Sequence, residues 1–190
     1  MTKIHLLRHF ESSVSELGVF HSRDDASLSS NGRLEALKAI EGLPREINKT
    51  ICSPYRRTME TADLLEIEYE IDIRLREWDL GTLEGRDSKI FRLQNPSWNL
   101  FVDGPFFQDG ESVSDVTERA QSFRQDISIR KTDGDLLIIT HGQFGKVLMS
   151  ELTGIQLSAM QSFRFAAGSI ITLVSNQKGF DVARFGMPLS

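Results

Sequence analysis

The chain has little of what marks secreted, membrane-spanning or metal-built proteins. It holds one cysteine, Cys52, so no internal disulfide can form and a cytoplasmic protein is expected. Cys52 ends a short apolar stretch and is expected in the core rather than as a nucleophile. No apolar run approaches the roughly 20 residues of a membrane span. The first residues, Met1 to Leu7, are too short and polar for a signal peptide. Basic residues are not in excess: 22 Lys and Arg stand against 27 Asp and Glu, which argues against nucleic acid or an anionic membrane as partner. Repeats, low-complexity linkers and carboxylate clusters of metal-ligand spacing are missing too. His5 and His9 have the i,i+4 spacing of a metal pair, but too few residues precede them to build the helix it needs. The 190 residues therefore read as one domain, 1–190, with a full core and no metal or cofactor.

What is present is an alternation of apolar runs and helical periodicity. This predicts an α/β fold: three layers, α/β/α, with a mostly parallel central sheet. Ile4 to Leu7 is a first strand. Asp133-Gly134-Asp135 marks a turn before Leu136 to Ile139, a continuous apolar run expected as a central strand buried on both faces. Lys49 to Cys52 is a weaker third strand. Between them, Ser29 can cap a helix carrying Leu34, Leu37 and Ile40. Pro54 suits the first turn of a helix through Met59, Ala62 and Leu65. Ser112 with Asp115 resembles a capping box ahead of Val113, Val116, Ala120, Phe123 and Ile127. Phe144, Val147, Leu148 and Leu152 form another stripe, closed near Gly154. Ser169 to Phe185 reads as an antiparallel C-terminal hairpin turning around Asn176 to Gly179. Between Asp87 and Gly110, two Pro-containing turns and the aromatics Trp98, Phe101, Phe106 and Phe107 suggest a helical excursion that covers the site.

Two histidines stand directly after two of these strands: His9 after the first, His141 after the buried run. Ligands of open α/β sheets bind beyond the carboxyl ends of the strands. If the two strands are neighbours, both imidazoles face one crevice. Arg8 lies beside His9, and Arg57 lies one turn into the helix after the third strand. The planar guanidinium fork matches phosphate oxygens, and a helix starting at Gly142 directs N–H groups at an anion. Singly, each of these is more often a surface or core residue; their joint placement points to a phosphate pocket.

Leu7-Arg8-His9-Phe10-Glu11-Ser12 resembles the Arg-His-Gly-Glu-Thr signature of the histidine phosphatase superfamily, the phosphoglycerate-mutase-like proteins. Further segments agree in order: Leu28 to Arg33, Ser53 to Ala62, Leu75 to Gly85, Gly110-Glu111-Ser112, and Ile139 to Gly142. Each is weak alone; their order and spacing across most of the chain is specific.

The resemblance implies that His9 is the phosphorylated nucleophile and Glu77 the general acid, with Arg8, Arg57 and a protonated His141 around the phosphate. Ser15 stands where the family often has a phosphate-touching asparagine, and His21 where a glutamine is common. Phe10 replaces the usual glycine and is expected to reshape one wall of the pocket. The implied activity is a metal-independent phosphatase for a small phosphate monoester. The Trp78-Asp79-Leu80-Gly81 segment and the short chain resemble the small phosphatase branch rather than the mutases. Mutase-type transfer, and a degenerate phospho-ligand binding protein, are the other readings. No oligomeric state is set by the sequence.

Overall fold

The computed structural model describes residues 2–23, 26–105, 109–129, 134–177 and 179–188. Phe106, Phe107 and Asp133 lie outside them. Six strands form one sheet: β1 (Lys3–Arg8), β2 (Ile47–Cys52), β3 (Glu70–Ile71), β4 (Asp135–Thr140), β5 (Ser169–Ser175) and β6 (Phe180–Pro188). Their order is β3-β2-β4-β1-β5-β6. The first four run parallel; β5 adds antiparallel to β1, and β6 adds antiparallel to β5. The expected neighbours β1 and β4 pair directly, Arg8 opposite Thr140. Every residue of β4 is buried, as a strand covered on both faces requires.

Alternation along the strands builds two cores. Leu6 and Ile138 face one side, with Phe123, Phe144, Val147 and Leu148. Leu7, Leu137 and Ile139 face the other, with Ala36, Ala39, Ala62 and Leu65. The helices α1 (Ser30–Ala39) and α2 (Arg56–Leu64) thus cover one face, and α5 (Val113–Ile129) and α6 (Gly142–Thr153) the other. Two short helices, α3 (Ser88–Gln94) and α4 (Leu100–Asp103), occupy the expected excursion. Trp98 and Phe101 anchor it in the first core.

Local signals hold at the caps. Ser29 Oγ accepts the N–H of Gly32 at 3.0 Å. Ser112 and Asp115 form a reciprocal capping box, 2.8 and 3.1 Å. Gly154 closes α6 at φ +74°. Two expectations fail. The stripe Leu34, Leu37, Ile40 faces outward, 57%, 51% and 37% exposed, while Gly32, Ala36 and Ala39 face the core. A helix laid closely on the sheet and α2 needs small side chains on its inner face, which apolar periodicity does not reveal. Pro54 lies outside α2, which starts at Arg56 behind the cap residue Tyr55 and ends at Leu64.

Candidate active site

The sheet pairing carries His9 and His141 to one edge. His9 N–H donates to the Thr140 carbonyl at 3.0 Å, and Ser53 N–H to the Ile139 carbonyl at 3.0 Å. The ends of β1, β4 and β2 are thereby laced together. The two imidazoles meet edge to face, 5.3 Å between centroids. A cavity of about 250 Å³ opens there, lined among others by Arg8, His9, Ser15, His21, Arg57, Glu77, Arg92 and Gly142. His141, beside His9, is fully buried.

His9 Nδ1 is 2.6 Å from the Phe10 carbonyl oxygen. A carbonyl only accepts, so Nδ1 carries the proton and Nε2 holds a lone pair. Burial, then Arg57 and Arg8, push His9 well below its ordinary range, and the bond to Phe10 opposes them only in part. The ring is therefore neutral near pH 7.

Arg8 Nη1 donates to the Phe165 carbonyl at 2.7 Å. Its Nε is a buried polar atom without a hydrogen-bond partner among the described residues, as is His141 Nδ1. Arg57 Nη2 donates to the Ser22 carbonyl at 3.3 Å, and Nη1 lies 3.4 Å from His21 Nε2. His21 Nδ1 reaches Glu84 at 3.3 Å. Burial opposes ionisation of Glu84, but hydrogen bonds from His21 and Ser22 outweigh it and pull it down to about 2. The Tyr55 ring faces the Arg57 guanidinium at 5.0 Å and meets His141 edge to face at 5.2 Å.

Glu77 is brought in by the segment after β3. Gln143 N–H donates to its Oε2 at 3.1 Å; Phe144 and Trp78 N–H donate to Oε1 at 2.8 and 2.9 Å. This corrects one expectation: the amides next to Gly142 at the start of α6 are engaged by Glu77, not left for a ligand. Gly142 itself lets Arg8 cross the helix start, since a Cβ there would sit 3.2 Å from Cζ.

Two further expectations are revised, those for Phe10 and His141. Phe10 does not line the cavity; its ring turns into the core beneath α1 and α2. There it occupies space that a side chain on Gly168 would need, since a Cβ on that glycine would fall 2.6 Å from the ring. His141 is not a standing cation. Burial, then Arg57, His9 and Arg8, push it well below its ordinary range. Its Nε2 lies 2.7 Å from Ser53 Oγ. Ser15 Oγ is engaged with Ser12 Oγ at 2.8 Å. Cys52 is buried and its thiol is pushed up to about 12 by burial, so it is inert. Glu11 holds Ser29 at 3.1 Å and lies outside the cavity lining.

Sequence reasoning missed Arg119, Glu111, Glu84 and Arg92. Arg119 is buried and doubly bonded to Glu111, 2.9 and 2.6 Å. It also donates to the Arg74 and Arg76 carbonyls at 2.6 and 2.9 Å, fixing the segment that carries Glu77. Glu84 and Glu111 stand inside the family-like segments Leu75 to Gly85 and Gly110 to Ser112, which was the available signal. Arg119 and Arg92 had none.

Residues 4–188 match the histidine phosphatase superfamily (branch 1). An acid phosphatase of Mycobacterium tuberculosis is 33% identical over 85% of this chain and 79% of its own length. A putative phosphoserine phosphatase 2 of Hydrogenobacter thermophilus is 31% identical over 83% of this chain and 81% of its own. A crystal structure from M. tuberculosis superposes with a TM-score of 0.90 at 28% identity, covering 100% of this chain and 99% of that one.

Proposed function

The chain belongs to the histidine phosphatase superfamily, and from that premise we propose that it is a phosphatase which hydrolyses a small phosphate monoester through a phosphohistidine on His9. The observation that carries this reading is the His9 imidazole itself. It is neutral, fixed in one tautomer by Phe10 O at 2.6 Å, and flanked by two guanidinium groups in one cavity. An uncharged nucleophile avoids the repulsion that an anion meets at a phosphate dianion.

His9 Nε2 attacks phosphorus in line. The P–N bond forms as the ester P–O bond breaks, and Glu77 gives its proton to the departing alkoxide. Oε2 accepts a single N–H, from Gln143, and keeps a site for that proton. Arg8 and Arg57 hold the phosphoryl oxygens while charge shifts among them. If Ser53 Oγ donates to His141 Nε2, the proton of His141 resides on Nδ1, and the neutral ring can donate to a phosphoryl oxygen. Water then attacks phospho-His9, Glu77 takes a proton from it, and inorganic phosphate and free His9 result. All positive charge in this scheme comes from side chains, so no metal is needed. The excursion that begins at Asp87 contributes Ser88 and Arg92 to the cavity wall.

The test is a trapped intermediate. Rapid quenching with labelled substrate should give an acid-labile, alkali-stable phosphate on His9, and His9→Ala should abolish turnover. Release of label as inorganic phosphate separates a phosphatase from a mutase. Full turnover by His9→Ala would sink the mechanism.

A further inference from the structure

Arg119 lies in the second turn of α5 and is not among the described residues that line the cavity. It is buried, and all five of its N–H groups are engaged. Nε and Nη2 donate to the two carboxylate oxygens of Glu111 at 2.9 and 2.6 Å. Nη1 donates to the Arg74 and Arg76 carbonyls at 2.6 and 2.9 Å, and Nη2 reaches the Glu77 carbonyl at 3.5 Å. Glu111 grips the same segment. Its carboxylate also accepts from the Arg76 side chain at 2.6 Å and from Asp79 N–H at 3.0 Å, and its carbonyl accepts the Trp78 indole N–H at 2.8 Å. The pair therefore holds residues 74 and 76–79, the stretch that carries Glu77. A second route reaches the Glu77 carboxylate itself. The Arg119 guanidinium lies 4.3 Å from the centre of the Phe144 ring, and Phe144 N–H is the 2.8 Å donor to Glu77 Oε1.

A buried ion pair adds little net stability, and apolar replacements of similar volume often match it. An apolar core could not tie α5, the start of α6 and the Glu77 segment together through directed bonds. On the reading of Glu77 as the general acid, we propose that Arg119, with Glu111, is the positioning residue that aims the Glu77 carboxyl at the departing ester oxygen. Neither side chain touches the substrate. Their contribution is felt only where a proton must be delivered, since a displacement of about 1 Å can cost on the order of 10²-fold in rate. His9, Arg8 and Arg57 are held by other contacts, to the Phe10, Phe165 and Ser22 carbonyls.

Single-turnover phosphorylation of His9 by glycerol 3-phosphate and by p-nitrophenyl phosphate reads this role. The alkoxide of the first needs a proton, and the nitrophenolate of the second needs little help. Arg119→Lys keeps the charge and loses the planar fork. It should slow the alkyl ester by roughly tenfold or more and leave the aryl ester within about twofold. Glu111→Gln should act in the same direction. Comparing two esters within one variant cancels any loss of folded protein. Leu65→Ala, in the second core, is the destabilised control, and its ester ratio should stay at the wild-type value. In a Glu77→Gln background, Arg119→Lys should add no further ester-selective loss. Equal slowing of both esters in Arg119→Lys and Glu111→Gln, or a ratio no different from that of Leu65→Ala, overturns the proposal. So does an ester-selective loss that persists in full in the Glu77→Gln background. Glu77→Gln alone separates the two failures. Selective damage there, with none in the Arg119 and Glu111 variants, keeps the acid and removes its positioning pair. No selective damage in Glu77→Gln withdraws the acid, and the proposal with it.

Discussion

At His9 the two ring nitrogens have separate tasks, and the backbone assigns them. The Phe10 carbonyl accepts the Nδ1–H hydrogen bond at 2.6 Å and leaves Nε2 with the lone pair that the proposed attack uses. At the position where the family has glycine, this chain supplies a carbonyl oxygen to His9 while the Phe10 side chain leaves for the core. Glu77 shows the same economy, with three backbone N–H groups fixing one carboxylate. Its assigned role predicts unequal damage. An alkyl alkoxide leaves poorly without a proton, whereas a nitrophenolate needs little help. Glu77→Gln should slow phosphorylation of His9 by an alkyl phosphate by roughly 10²–10⁴-fold, while the burst with p-nitrophenyl phosphate survives. Single-turnover kinetics read both steps. Equal loss with both esters would make Glu77 a positioning group.

At the scale of elements, the turn into β5 and the segment after β1 are fitted to each other. Gly168 N–H lies within hydrogen-bonding distance of the Arg8 and His9 carbonyls, 3.2 and 3.1 Å. Its φ is +67°, and a Cβ would lie 2.6 Å from two carbons of the Phe10 ring. Gly168→Ala should destabilise the protein by about 1–3 kcal/mol, through backbone strain and overpacking. The double variant with Phe10→Ala should remove the overpacking part but not the strain. Denaturant midpoints for the single and double variants measure this, and strict additivity would show that the contact carries no energy. The helix α1 teaches the opposite lesson. Its inner face is the small-residue stripe Gly32, Ala36 and Ala39, and its larger apolar residues look outward.

For the whole molecule, burial that its partners offset only in part sets the response to acid. His9, His141 and His5 are all held below their ordinary range, with burial as the first cause in each case. The unfolded chain binds protons at these groups near pH 6.5, and the folded chain only at lower pH. Their contribution to stability is full above about 6.5 and falls as pH drops. Glu84, at about 2, adds a loss that begins below its unfolded value near 4.5. Urea midpoints should therefore stay nearly level from pH 8 to about pH 6.5 and fall from there to pH 5. From pH 8 to about pH 6.5 neutral His9 should keep kcat/KM nearly level, because burial and the neighbouring guanidinium groups place the acid limb set by this group below 6.5. A limb at or above 6.5 in wild type, or midpoints that rise on acidification, would contradict the burial argument.

The sequence by itself determined the α/β class, the two histidines behind two strands, the helix caps at Ser29, Ser112 and Gly154, and the family. These are local patterns or ordered motifs, written in contiguous residues. Tertiary structure decided the rest. That the amides after Gly142 engage Glu77 depends on a segment 66 residues away in sequence. The neutrality of His141 depends on complete burial beside two guanidinium groups. Arg119 has no local pattern, because its partners lie on the Glu77 segment and at Glu111. Burial, charge proximity and close packing arise only once distant segments meet, so residues whose role comes from those effects became visible only in the fold.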